Sequence, residues 1–273
     1  MKRYATIDKK EGETPLEALA RLRVRDAISS ETPLAYAGRL DPMASGKLLV
    51  LIGEECKKQT EYHALDKEYE FEILLGLKTD TGDILGLIEI DTNPKALPSD
   101  SEIKKVIKTL IGTISLPYPH FSSKTVRGKP LFLWTLEKRL HEIEIPVAHT
   151  QIHALSYRGH YTFSGSELLD RVEKRIATIT PVTEESKALG ENFRRKPILA
   201  AWKAELAERG SETFHILTFT TTCSSGTYIR SLAPKIAELL GTTGLAYMIH
   251  RTKIGTYLKV PLTPWGIWTR LFK

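Results

Sequence analysis

Three short stretches of the chain combine turn glycines with charged side chains and an aromatic: Ala35–Gly46 (AYAGRLDPMASG), Lys67–Gly86 (KEYEFEILLGLKTDTGDILG) and Cys223–Arg230 (CSSGTYIR). In the first, Asp41 is the group able to act as a nucleophile or a base. By itself, an Asp before a Pro is a turn former. Arg230 follows Gly226-Thr227-Tyr228 where a helix should begin. That is a poor place for a cation, beside the positive end of the helix dipole, and it favours a partner carboxylate. Tyr69 alternates with Glu68 and Glu70, and alone it reads as a core aromatic. Asp80 and Asp83 could form a glycosidase-like carboxylate pair. The preferred reading is a turn in which both side chains accept local backbone N–H groups. His149 and His153 have the i, i+4 spacing of a zinc-binding helix, but Pro146 and the pattern around them read as strand, so no metal is expected.

The elements that must hold these residues can be read from caps and periodicity. Thr14-Pro15-Leu16-Glu17 is a capping box with Pro in the first turn, and Leu16, Ala20, Val24 and Ala27 then share one face. KLLVLIG is a short buried strand, followed by a helix carrying Cys56, Thr60 and His63. Residues 67–77 alternate, with Tyr69, Phe71 and Ile73 on one face and Glu68, Glu70 and Glu72 on a wet one. TDTGD then turns the chain, and ILGLIEI is expected to return as the partner strand of a hairpin. Ser99-x-x-Glu102 caps a helix ending at Gly112. WTLEKRL reads as a short helix and residues 143–157 as strand. Ser164-x-x-Glu167 opens an amphipathic helix, and ENFRRKP reads as a basic loop. TFHILTFTTT is a strand, and IRSLAPKIAELLG is a helix that carries an awkward Pro234.

The composition is that of an ordinary globular protein, with 273 residues, 41% hydrophobic and 26% charged, which excludes disordered and fibrous classes. Lys and Arg total 39 against 33 Asp and Glu, a net charge of +6, which permits a polyanionic partner. The charge is segregated. Residues 66–91 hold eight acids (Asp66, Glu68, Glu70, Glu72, Asp80, Asp83, Glu89, Asp91) against Lys67 and Lys78. Residues 246–273 hold Arg251, Lys253, Lys259, Arg270 and Lys273 with no acid, and residues 122–139 hold Lys124, Arg127, Lys129, Lys138 and Arg139 against Glu137. One phosphate-facing side is the expectation. Two distant cysteines, Cys56 and Cys223, suit a reducing compartment. The N-terminus MKRYATIDKKEGE has no apolar signal segment, and no aliphatic run is long enough to cross a bilayer. A cytoplasmic protein is expected.

In their order and content the three stretches closely resemble the TruB family of tRNA pseudouridine synthases. That family carries a GxLDPxATG-like loop, a KxYxxxxxLGxxTDTxDxxG hairpin and a CSxGTYIR turn. IDKKEGETPLEALARLR and PHFSSKTVRGKPLF are similar to two further family segments, and Ile249-His250-Arg251 stands in the place of a Leu-Arg-Arg. The resemblance covers roughly residues 5–157 and 213–258, with 158–212 as a family-atypical addition. It implies that Asp41 is the catalytic carboxylate, acting on the ribosyl C1′ or on the uracil ring, and that Arg230 pairs with it. It implies that Tyr69 stacks on a flipped uracil and helps take the C5 proton. A base inside a folded RNA loop must be extruded before it can react. RNA contacts are implied at Tyr36, Arg39, Lys67, Lys124, Arg127, Lys129, Ile249 and Arg251.

The sequence departs from the family pattern in places. Tyr36 stands where the family usually has a His, and Ser225 replaces a frequent Lys. Arg39 replaces a small residue, so that GRLD resembles the signature of ribosomal pseudouridine synthases. The chain ends shortly after IGTYLKVPLTP, so a C-terminal PUA-type RNA-binding domain is not expected. The resulting expectation is an α+β pseudouridine synthase fold: a mixed, largely antiparallel sheet flanked by helices, in a single catalytic domain spanning 1–273, with 158–212 as a helical insertion. The expected activity is isomerisation of uridine to pseudouridine, at the T-loop uridine (position 55) of tRNA, by a monomer using no cofactor, metal or membrane. Two other readings stay open: a synthase acting on another RNA such as rRNA, and a non-catalytic RNA-binding or RNA-folding protein.

Overall fold

A computed structural model of the chain describes residues 3–90, 97–179, 190–260 and 266–272. Asp91 and Lys273, counted in the charge pattern above, lie outside them, as do residues 180–189 of the expected insertion. Strand β1 (Tyr4–Lys9) leads to helix α1 (Pro15–Arg25), then to β2 (Leu34–Ala37) and β3 (Ala44–Ile52). A short 3-10 turn (Gly53–Lys58) runs into α2 (Gln59–His63) and β4 (Asp66–Leu75), followed by β5 (Leu77–Thr79) and β6 (Ile88–Ile90). Then come α3 (Asp100–Thr109), β7 (Gly112–Pro117), the small hairpin β8 (Thr125–Val126) and β9 (Lys129–Pro130), and α4 (Leu131–Leu136). The long strand β10 (Val147–Ser164) precedes α5 (Gly165–Ala177) and α6 (Gly190–Leu206). The chain closes with β11 (Thr213–Cys223), α7 (Ile229–Leu239), β12 (Gly244–Lys259) and β13 (Gly266–Leu271).

One nine-stranded sheet runs in the order β1-β3-β12-β4-β11-β10-β7, with β2 paired to β3 and β13 to β12. β12 and β3 are parallel; the other strand pairs of this sheet are antiparallel. The fold is the expected α+β arrangement. Alternation along β4 and β11 sends side chains to two cores. On one face Phe71, Ile73, Leu217 and Phe219 pack against Ile103 and Ile107 of α3 and Leu232 and Ile236 of α7. On the other, Leu74, Ile216, Leu245 and Tyr247 pack against Leu168, Val172 and Ile176 of α5 and Ile198, Trp202 and Leu206 of α6.

Four expectations need correction. The α1 face that packs on Ile7, Leu48 and Val50 is Ala18, Leu19 and Leu22, whereas Leu16 and Val24 are 59% and 83% exposed. Both sets have helical spacing, and the neighbouring strands select between them. The expected hairpin is smaller than its sequence suggests. Gly76 (φ 82°) breaks the chain after β4, so β4 lies between β12 and β11 in the main sheet, and only β5 and β6 pair. ENFRRKP is part of α6 rather than a loop, with Pro197 tolerated inside it. Residues 158–164 continue β10, and α5 and α6 share a core with the main sheet. They cover one of its faces.

Candidate active site

Asp41 sits in the turn between β2 and β3. Its carbonyl accepts from the Ala44 N–H at 3.0 Å, so the Asp-Pro pair does form the turn its sequence suggests. The loop is pinned from below by Lys9, the last residue of β1. The Lys9 Nζ donates to the carbonyls of Ala44 (2.6 Å), Lys10 (2.8 Å) and Pro42 (3.3 Å). Burial lowers the Lys9 pKa to about 8, against the pull of the Glu13 carboxylate.

Arg230, in the first turn of α7, is 6% exposed. Its Nε donates to Asp41 Oδ2 at 2.8 Å and its Nη2 to Asp41 Oδ1 at 3.2 Å. The remaining contacts are to carbonyls: Nη1 to Thr81 (2.9 Å) and Nη2 to Phe121 (3.1 Å). A cation at the wrong end of a helix is thus held by a fork to one carboxylate and by two backbone acceptors. Asp41 keeps 32% of its side chain exposed, so its carboxylate is oriented yet open to the cleft.

Asp83 completes the cluster, with Oδ2 lying 3.7 Å from the Arg230 Nε. Its Oδ1 accepts from the Thr81 hydroxyl (2.8 Å) and from the Leu85 N–H (2.9 Å). Burial pushes the Asp83 carboxyl above the usual carboxylate range, with Arg230 opposing the shift. Pro234 has no N–H and leaves the Arg230 carbonyl without its helical donor. Gly82 (φ 76°) packs so closely on that carbonyl that a Cβ would stand 2.4 Å from its oxygen. The TDTGD turn is therefore seated directly on the residue that holds Asp41.

Tyr69 lines the floor of the cleft from β4. Burial raises the pKa of its phenol, against the neighbouring Arg251 guanidinium. Ile249 packs in the same core, paired with Ala44. Lys67, Ile249 and Arg251, expected to contact RNA, are almost wholly buried, and all three line the wall of the cleft. β4 and β12 are central strands, and Arg251 stands in register with Tyr69. Arg251 is 0% exposed; its Nε donates to the Lys47 carbonyl (2.7 Å) and its Nη2 to the Gly38 carbonyl (3.0 Å). It brackets the Asp41 loop. Gly46 (φ 101°) permits this approach, since a Cβ there would meet the Arg251 carbonyl at 2.3 Å. The Lys67 Nζ donates to the carbonyls of His63 and Leu65. Burial, helped by the like charge of Arg251, lowers its pKa to about 8.

Around these residues opens a cleft of about 820 Å³. Tyr36 and Arg39 line it, Arg39 exposed and Tyr36 half-buried. Lys124 and Arg127 are exposed on the β8–β9 hairpin, Lys124 lying over the Tyr118 ring at 5.0 Å. Lys129 is engaged by Glu137 and by the Trp134 ring, 4.4 Å away. Several acids of the 66–91 run also have partners within the protein: Glu68 with Lys253, Glu89 with Lys78 and Asp80 with Arg194. His149 and His153 sit on β10 and hydrogen-bond Ser115 and Asp66, as the strand reading requires.

The sequence reading missed Lys9 and the part played by Asp83. Lys9 shares a strand face with buried Ile7, a spacing that marks a buried cation. Asp83 does bond its local turn, as expected, but its second oxygen faces Arg230. That is visible only once α7 is placed.

Residues 27–169, just over half of the chain, match the family model described as TruB family pseudouridylate synthase (N terminal domain). The chain belongs to this family. Among its relatives are proteins named tRNA pseudouridine synthase B. That of Caldicellulosiruptor saccharolyticus is 28% identical over 83% of the chain and 60% of the relative. That of Aromatoleum aromaticum is 28% identical over 92% and 62%, and that of Borreliella burgdorferi 27% identical over 93% and 70%. The chain thus spans about three-fifths of the length of the first two. Its fold matches a chain in the crystal structure of a Cbf5-Nop10-Gar1 complex, with a TM-score of 0.53 and 17% identity over 92% of this chain and 48% of that one. Among the described residues, no helix of this TruB family member is long and apolar enough to cross a membrane.

Proposed function

We propose that the chain isomerises uridine to pseudouridine in RNA, at the T-loop uridine (position 55) of tRNA. The observation that carries this reading is Asp41 itself: a carboxylate gripped through both oxygens by a buried guanidinium, still open to a cleft with an aromatic floor. The reaction breaks the N1–C1′ bond, turns the base and forms a C5–C1′ bond. The C5 proton leaves and N1 regains one, so nothing is consumed. Asp41 supplies the nucleophile or base that this requires, and the Arg230 fork fixes its direction of approach. Tyr69 gives the extruded base a face to stack on. Burial raises the pKa of its phenol, so the anionic form is disfavoured in the cleft.

Tyr36 and Arg39 at the cleft, with Lys124 and Arg127 on the hairpin, provide the RNA-facing aromatic and basic groups. Lys67, Ile249 and Arg251 support the site from within. The relatives' name, tRNA pseudouridine synthase B, favours tRNA as the substrate. The unpaired Cys56 and Cys223 suit work in a reducing cytoplasm. The test uses unmodified tRNA transcript carrying tritium at uridine C5. Release to water from this transcript, and none when the T-loop uridine is replaced by cytidine, supports reaction and target together. Release only from another RNA, such as rRNA, keeps the reaction and discards the target. Tight binding without release from any RNA refutes the catalytic reading.

A further inference from the structure

Arg230 is held by more than Asp41. Two backbone carbonyls complete its grip, those of Thr81 and Phe121, from segments far apart in the chain. A second arginine fastens those two segments together. The Arg194 Nη1 donates to Asp80 Oδ2 at 2.7 Å and its Nη2 to Asp80 Oδ1 at 3.3 Å. The same guanidinium lies over the Phe121 ring, 4.1 Å from its centroid. Asp80 directly precedes Thr81, and its Oδ1 also accepts from the Leu87 N–H at 2.9 Å. One planar group thus grips the turn that supplies one carbonyl and covers the residue that supplies the other.

The chemistry suits an arginine specifically. A guanidinium can fork onto a carboxylate with its edge while stacking on a ring with its face, and an ammonium cannot do both. Only 19% of the Arg194 side chain is exposed, and it lines the cleft, so this pair is better shielded from solvent than an ordinary surface ion pair. The backbone behind it is anchored. Ile198, Trp202 and Leu206 of α6 are buried against α5 and the sheet, and Arg195 bonds the Ile179 carbonyl beyond the end of α5. Arg194 belongs to the 158–212 segment, the family-atypical addition of the sequence.

We propose that Arg194 is a positioning residue for the isomerisation. By locking the Asp80 turn to the Phe121 segment, it sets the two carbonyls that orient Arg230, and through Arg230 the carboxylate of Asp41. This rests on the function proposed above, so the test has one arm that depends on catalysis and one that does not.

In the first arm, single-turnover tritium release at saturating protein is compared for wild type, Arg194→Ala, Arg194→Lys, Asp80→Asn and the Arg194→Ala/Asp80→Asn double variant, with RNA affinity measured alongside. Arg194→Ala should slow release by about tenfold or more, the scale of a displaced remote contact, with Kd changed by less than about threefold. Arg194→Lys should recover only part of the rate. The double variant should be about as slow as the slower single variant, because both break one contact. An unchanged rate overturns the proposal. So does a weakened Kd with an unchanged saturating rate, which would make Arg194 an RNA contact, and so do penalties that multiply. If Arg194→Ala does not fold, Asp80→Asn and Phe121→Leu face the same criteria.

The second arm follows the Arg230 Nε–H resonance by NMR without RNA, assigned by its loss in Arg230→Lys. Arg194→Ala should shift or broaden it, and an unchanged resonance counts against the proposal. No release by wild type from any RNA, with the resonance still responding to Arg194→Ala, would overturn the proposed function while leaving the lock between Arg194 and Arg230 intact.

Discussion

The guanidinium of Arg230 reaches both oxygens of Asp41, at 2.8 and 3.2 Å, across a separation of 189 residues. The pair joins the loop entering β3 to the first turn of α7. It also faces Asp83 at 3.7 Å, so one buried cation serves two carboxylates and two carbonyls. Substitutions here should therefore affect both stability and rate.

Replacing Arg230 by Met keeps bulk but leaves Asp83 buried and uncompensated. Loss of one partner from such a cluster costs about 3–5 kcal/mol, to be read by urea denaturation. Arg230→Lys keeps the charge and loses the fork. It should stay folded and slow single-turnover isomerisation by about 100-fold, with RNA affinity near that of wild type.

Tyr69→Phe removes only a hydroxyl from the cleft floor. RNA binding should be unchanged, while isomerisation slows by about 10²–10⁴, the range for a lost proton-transfer group. Tyr69→Leu also removes the stacking face and should weaken binding of the flipped state by about 1–3 kcal/mol. Equal rates for wild type and Tyr69→Phe would confine the residue to stacking.

Lys67 gives a prediction in pH. Its pKa is lowered from 10.5 to about 8 by burial. Between those values the unfolded chain binds the proton more tightly than the folded one does. Stability should therefore rise as pH increases from about 8 towards 10.5, by an amount on the order of 3 kcal/mol from this group. Lys67→Met removes the titration. The stability difference between wild type and Lys67→Met, from denaturation at several alkaline pH values, should grow in favour of wild type across that window. A difference independent of pH would refute the assignment.

Salt dependence separates outward from inward cations. Lys124→Gln and Arg127→Gln should each flatten the log Kd against log salt slope for RNA by about 0.7–0.9, one phosphate contact apiece. Arg251→Gln should leave that slope unchanged. It should destabilise the fold by about 1–3 kcal/mol, because the Lys47 and Gly38 carbonyls lose their buried donor.

Much of the local structure was legible in sequence because its causes are local. The capping boxes at Thr14, Ser99 and Ser164 form as their spacing implies. The alternation through Tyr69, Phe71 and Ile73 marks the buried face of β4. What escaped depends on non-local pairing. Lys67 and Arg251 are expected from the family resemblance to contact RNA. They are interior because β4 pairs with β12, about 180 residues later, which places both strands in the middle of the sheet. On α1 two sets of residues have helical spacing, Leu16 and Val24 among one and Ala18, Leu19 and Leu22 in the other, and only the strands beneath decide between them. Asp83 bonds its own turn, as the local sequence implies. Its second role needed α7, which arrives some 150 residues later.

The central claim is that Asp41 carries the chemistry, and C5-tritium release under single-turnover conditions tests it most directly. Wild type should release the tritium of the T-loop uridine. Asp41→Asn, which keeps shape and loses the carboxylate, should bind the same transcript with a similar Kd and release it at least about 10³-fold more slowly. Release by Asp41→Asn at a rate close to that of wild type would contradict the account.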